Sequence, residues 1–445
     1  MNYNADSTTT PTNTFVPVSV IVLGAPISLV DDSLAVSGSL TLLNIADFIF
    51  GSANFEITLS TVAVDLPAPQ SDIALASLLT VGLTNLNLTI GDLAGPHFSI
   101  VGGSLALAVL KPKTPAPGDT RSWLALEGSV TTASFVGVDN LTVTVLNLSF
   151  EINRASGIGG ATPLAATPLD WATALEDEVT AAGVAIDLSG DVLRASGVIR
   201  INIFDLVSGV VGFGFEQQIV DVDVDDNGFS TAVGSTDLSG ATLTTLGLRI
   251  IPDDGNALNG AEGLFVGAAG IGFSIASGSL ALAIVKPAAP TDTRGWMALA
   301  ANVSGGSFDG IDGLTMVVNQ LNVELNRGSA PTGQTAPAAL NWLTAIDLEE
   351  GSTGFAADAI VVRVATPLGI EELPIAYEDE RFRASGNVTI DIFGFVSGTV
   401  GFSLETKKVK VDFLIQRGQA RAQRPGANHR VAAIHKFVQT DNCCR

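Results

Sequence analysis

The sequence predicts an all-β protein, built predominantly of long antiparallel strands, with about one short helix in each unit of a tandem repeat. Three observations carry that reading. Apolar residues alternate with polar ones at a period of two, as in Leu40 and Leu42, Ile57 and Leu59, and Leu141, Val143 and Val145. The apolar runs are short and divided by Gly, Ser, Thr and Asp. Finally, motifs return at intervals about as long as a domain.

Arg194-Ala195-Ser196-Gly197, with Ile203-Phe204, Val207-Ser208-Gly209 and Glu216, returns as Arg383-Ala384-Ser385-Gly386, with Ile392-Phe393, Val396-Ser397-Gly398 and Glu405. A looser copy, Ser37-Gly38 with Phe48, Phe50-Gly51 and Glu56, leads the chain. Between these marks, Gly103-Ser104-Leu105-Ala106-Leu107-Ala108 with Lys111-Pro112 recurs as Gly278-Ser279-Leu280-Ala281-Leu282-Ala283 with Lys286-Pro287. A proline-rich connection of unequal length then leads to Asp119-Thr120-Arg121-Ser122-Trp123 and to Asp292-Thr293-Arg294-Gly295-Trp296. Length varies freely only in an exposed loop, so these connections join strands. The expected divisions are a disordered leader over 1–14, repeat units over 15–191 and 192–380, the start of a truncated third unit over 381–413, and a basic disordered tail over 414–445. The tail, with Arg417, Arg421, Arg424, Arg430 and Lys436, loses all alternation and reads as a non-homologous terminus, such as a shifted frame would leave.

Within the strands the two copies share a slip of phase. Leu141, Val143 and Val145 give way to Leu148, Phe150 and Ile152, as Leu314, Met316 and Val318 give way to Leu321, Val323 and Leu325. A slip of one residue turns every later side chain over, so a shared slip predicts a β-bulge or turn held in the fold. Both segments end on Asn153-Arg154 and Asn326-Arg327. The helix of each unit is expected where Asp170 can cap Trp171, Ala174, Leu175, Val179 and Ala182, and where Asn341 and Trp342 with Ala345 and Ile346 repeat the opening.

Composition narrows the function. The 445 residues are 47% hydrophobic, with mean hydropathy +0.41, yet no run nears the roughly 18 apolar residues of a spanning helix, so no transmembrane segment is expected. Net charge is −23 and the pI about 4.3. A surface so acidic repels phosphate, which argues against nucleic acid and electrostatic attachment to anionic lipid. Cys443 and Cys444 stand at the C-terminus, which leaves the body without a disulfide framework or thiolate metal site. Residues 1–10 lack the basic and apolar regions of a Sec signal.

No catalytic residue is assigned. His97, the only histidine of the repeat body, follows Pro96 and reads as a loop residue, and no nucleophile elbow, Walker loop, dinucleotide fingerprint, H-E-x-x-H or C-x-x-C occurs. The metal-like signal is Asp221, Asp223, Asp225 and Asn227 with Gly228: alternate carboxylates and a turn-permitting glycine fit the opening of a calcium loop, though Gly234 stands where the bidentate Glu belongs and Asp237 lies nearby. Arg121 with Trp123, and Arg294 with Trp296, predict a cation–π or ion-pair feature that anchors the core.

Taken together, the Ala-Ser-Gly, Val-Ser-Gly, Gly-Ser-Leu-Ala-Leu-Ala and Asp-Thr-Arg-x-Trp motifs, with Asp312-Gly313-Leu314-Thr315, resemble the long tandem repeats of very large bacterial exported or cell-surface proteins, grouped with haemolysin-type calcium-binding proteins and adhesins. The resemblance implies an extracellular or cell-surface location, a structural or adhesive role, calcium, and neighbouring repeat units or host and cell-surface molecules as partners. The G-G-x-G-x-D nonapeptide of the haemolysin type is missing. The expected function is therefore a non-enzymatic structural or adhesive repeat segment. A β-groove for lipid or another hydrophobic ligand is the alternative, and a carbohydrate-active enzyme with spatially paired carboxylates the second.

Overall fold

A computed structural model describes residues 18–22, 25–29, 34–159, 164–232, 234–252, 263–348, 354–409, 432–437 and 440–441. The expected leader over 1–14, and the tail outside those last two spans, lie outside the described residues. Among the described residues all regular elements are strands and the pairings are antiparallel. The all-β class is thus correct.

The chain divides into two compact units, the first holding residues 1–133 and 149–193, the second 134–148 and 194–445. In the first, β1 (Val18–Val22) and β2 (Ala25–Leu29) make a hairpin. Then β3 (Leu34–Ile45), β4 (Ile49–Val64), β5 (Ile73–Gly91) and β6 (His97–Pro112) form a meander, followed by β7 (Ser122–Val136) and β8 (Leu141–Ser156), within which the division of units falls. Residues 164–191 fold over one face of the sheet as a plug containing the two-residue strands β9 (Thr180–Ala181) and β10 (Val184–Ala185). Leu169, Trp171, Leu175, Val179 and Ile186 of the plug pack on Ala76, Leu78, Ala106, Ala108 and Trp123. Small residues on the sheet let the plug lie close. A side chain at Gly82 would strike the backbone of Ala181 and Ala182.

The second unit follows the same plan. Its strands are β11 (Val192–Ile203), β12 (Val207–Val222), β13 (Leu238–Ile250), β14 (Leu264–Ala268), β15 (Ile271–Lys286), β16 (Gly295–Asp309) and β17 (Leu314–Ser329). The plug contains β18 (Ile346–Asp347) and a hairpin of β19 (Val361–Thr366) and β20 (Gly369–Pro374). Leu340, Trp342, Ile346, Ile360 and Val362 pack on Ala241, Leu243, Ala281, Ala283 and Trp296. Strand β17 then pairs with β21 (Arg381–Ile392), and β21 with β22 (Val396–Val409). Where a disordered tail was expected, β23 (Ala432–Phe437) and β24 (Thr440–Asp441) pair with the outer edge of β22, whose backbone groups supply their partners.

The expected helix is corrected. Asp170 caps a single turn: the amides of Thr173 and Ala174 reach its carbonyl, and that of Ala172 its carboxylate at 3.1 Å. Asn341 does the same for Thr344, Ala345 and Leu343. Neither turn continues, because the backbone is drawn into tertiary bonds: Asp65 N–H to Ala174 O at 2.9 Å, and Asp223 N–H to Ala345 O at 2.9 Å. A segment of that length has little helical stability of its own to oppose them.

The phase slip resolves into a bulge. Val318 faces Val388 and Gln320 faces Asn387, leaving Asn319 as the extra residue of β17. In β8, Asn147 takes a φ of +52°, a conformation asparagine tolerates better than most residues.

Candidate functional site

Two constellations gather the polar residues that the sequence singles out: the Trp-centred base of each unit, and an acidic loop of the second.

In the first unit the Trp171 indole N–H donates to Asn153 Oδ1 at 2.9 Å, while the Asn153 amide donates to Leu169 O and Gly190 O, both at 2.8 Å. Trp123 donates to Thr167 O at 2.8 Å. The second unit repeats each bond: Trp342 to Asn326 at 2.9 Å, Asn326 to Leu340 O and Asp379 O at 2.9 and 3.0 Å, and Trp296 to Ala338 O at 2.9 Å. All four indoles and both asparagines are fully buried, so each polar atom must be satisfied internally. The sequence marks Asn153 and Asn326 only as strand ends. Their shared position before an Arg was the available signal, but their role needs the folded-back plug.

The Arg–Trp pairs also match. Arg121 forks onto Asp119, donates to Ser71 O at 3.0 Å and lies 5.8 Å from the Trp123 ring. Arg294 forks onto Asp292, donates to Thr236 O at 3.0 Å and lies 5.4 Å from Trp296. The guanidinium hydrogen bonds, outweighing desolvation, hold both aspartates below the ordinary carboxylate range. Arg121 borders a cleft of about 420 Å³ with Gln70, Asp72, Pro112 and Leu164, but its charge already faces Asp119.

The acidic loop follows β12. Asp223, Asp225 and Asp237 bring carboxylate oxygens within 4.8 Å of one another. Of the calcium candidates, Asp223 and Asp225 therefore converge, joined by Asp237. Asp221 stands apart, accepting the Gly240 amide at 2.9 Å, and Asn227 enters through its backbone, donating to Asp223 at 3.3 Å. The cluster mostly ties its own loop. Asp223 also accepts Gly228 N–H, and Asp237 accepts Val224 N–H, Ser230 N–H and the Ser235 hydroxyl. Asp226 accepts the Thr344 hydroxyl at 2.8 Å, fastening the loop to the plug's turn, and Phe229 stacks on Phe355 at 5.1 Å. Each carboxylate oxygen that accepts one such bond keeps a further lone pair, so the three groups suit a hard cation chemically. His97 bonds Gly95 O through Nδ1 at 3.0 Å within its own turn.

No protein-family model, no curated protein and no solved structure matches this chain.

Proposed function

We propose that the chain is a non-enzymatic structural segment made of tandem repeats, of the kind that forms the exported or surface-exposed part of a bacterial protein. The duplicated base is the observation that carries this reading. Two stretches with unlike loops place Trp, Asn, Arg and Asp in the same bonds, and those bonds are spent on holding a plug to a sheet. A reactive centre needs polar groups aimed at a vacancy. Here the buried ones named above are aimed at one another and at the protein's own backbone.

Propagation supports the same reading. Strand β21 opens with the Arg-Ala-Ser-Gly motif of β11 and pairs along its length with β17, so the last strand of one repeat receives the first of the next. Neighbouring repeats are thus the nearest partners. A weak calcium site at Asp223, Asp225 and Asp237 is a second reading, favoured by their convergence. Protease treatment of intact producing cells tests location: degradation of the chain with cytosolic markers spared is expected, and complete protection together with cytosolic fractionation would rule the surface role out.

A further inference from the structure

In the second unit a series of large apolar side chains lies on the face of the sheet that the plug leaves uncovered. Phe215, Leu246, Leu282, Leu299, Leu325 and Phe382 stand opposite one another in register across six strands. The plug-side face carries glycines and alanines together with Leu243, Val285 and Trp296 under the plug and, beyond it, polar groups: Ser279 with Asn302, the Arg194–Glu216 pair at 2.7 Å and the Arg381–Glu324 pair at 3.0 Å. A water-soluble sheet with one face on the core keeps its other face polar, whereas here the second face is apolar as well.

The bulge keeps that face unbroken. Leu321 and Val318 sit opposite Gly386 and Val388, two residues apart on β21 and hence on one face. The extra Asn319 turns to the polar face, where its amide bonds Thr389 at 2.9 Å, and Gln320 joins Asn322 there. Along β17 the apolar series therefore runs from Leu325 to Leu314, roughly 40 Å at about 3.4 Å per residue. On β21 it runs from Phe382 to Ile392. Charges stand at the margins: Lys286 and Arg327 at the plug end, Asp205 and Asp312 in the hairpin turns. Val266 is 48% exposed and Phe382 37%, while Phe215, Leu246, Leu282, Leu299 and Leu325 are half-buried.

We propose that this face lies against lipid acyl chains, with the strands of the second unit seated in a bilayer. Length and chemistry both select that occupant. A tilted strand crosses hydrocarbon in about 9–11 residues, which the β17 and β21 series satisfy. A protein partner of comparable area, on the order of 1,000 Å² for six strands about 4.8 Å apart, would be met by hydrogen bonds and a polar rim, whereas this face offers side-chain donors only at its ends. The ladders pair the backbone of the strands within the sheet, and β23 and β24 take up the edge of β22. The net charge of −23 makes neutral lipid the suitable host.

The test mixes the full chain with phosphatidylcholine vesicles, with and without brominated acyl chains. Phe273→Trp reports from the apolar face and Asn322→Trp from the polar one, each read against the parent's four tryptophans. The chain should float with the vesicles, and bromine should quench the Phe273→Trp signal at least threefold more than the Asn322→Trp signal. Leu282→Lys should abolish flotation while Ser279→Lys, on the opposite face, leaves it, with strand content by circular dichroism equal in both. Equal quenching at the two reporters, flotation unaffected by Leu282→Lys, or a discrete dimer that ignores vesicles would overturn the proposal, the last in favour of a second copy on this face.

Discussion

The Asn153 side chain joins three separate parts of the first unit, accepting the Trp171 indole N–H and donating to the carbonyls of Leu169 and Gly190. Replacement by Leu fills similar volume but leaves an indole N–H and two carbonyls without partners. Each such orphan costs about 1–3 kcal/mol. Asn153→Leu should therefore lose roughly 3 kcal/mol or more in urea unfolding, and Asn326→Leu a similar amount. A loss below about 1 kcal/mol at either site would show that the asparagine does not hold the plug.

The glycines beneath the second plug invite a contrast. A side chain at Gly214 would collide with the Arg363 carbonyl, while one at Gly398 would meet nothing within 4 Å. Gly214→Val should lift the β19–β20 hairpin and expose residues 361–374 to limited proteolysis. Gly398→Ala should leave the digestion pattern unchanged and stabilise slightly, by roughly 0.5 kcal/mol, through the unfolded chain.

Acid and alkali should act through different groups. Asp119 and Asp292 are depressed in the folded state, so their contribution is present above the unfolded carboxylate value near about 3.9 and lost as pH falls through the folded values. Asp119→Asn should flatten the acid limb of a melting-temperature profile below about pH 4. Tyr377, buried and near Glu324, is pushed up to about 12 despite the opposing charge of Arg381. Its neutral form contributes fully below the unfolded value of about 10, and the contribution fades between there and about 12. Tyr377→Phe should remove that part of the alkaline loss.

Calcium at millimolar concentration should raise the melting temperature by a few degrees if Asp223, Asp225 and Asp237 share an ion, and Asp225→Asn should abolish the rise. Asp225 is the informative position because its one described side-chain bond is from Thr236, so its loss disturbs the loop least. Unchanged melting in calcium would leave the loop held by its backbone donors alone.

Much of the fold was legible because alternation and punctuation are local. The period of two in Leu321, Val323 and Leu325, and the paired slips at Val145 and Val318, anticipate long strands and a bulge without reference to the rest of the chain. The helix was misread because Trp171, Ala174 and Leu175 have helical spacing for another reason: they face a sheet across a capped turn, and bonds to Asn153 and Leu188 settle the backbone. Asp237 could be seen only as a neighbour of the acidic run, since Arg294 and the turn at Asn341 are what fold the loop back. Nor could alternation tell which face is covered, because it divides Leu282 from Ala281 and Ala283 without saying where the plug settles.

The pairing of β17 with β21 bears on how such a chain could lengthen. Since β21 carries the opening motif of β11, a further copy would, under the proposed repeat reading, meet β17 through the same opening sequence. Length could then be gained by duplicating one strand-pairing rule, without a new interface having to be invented for each copy.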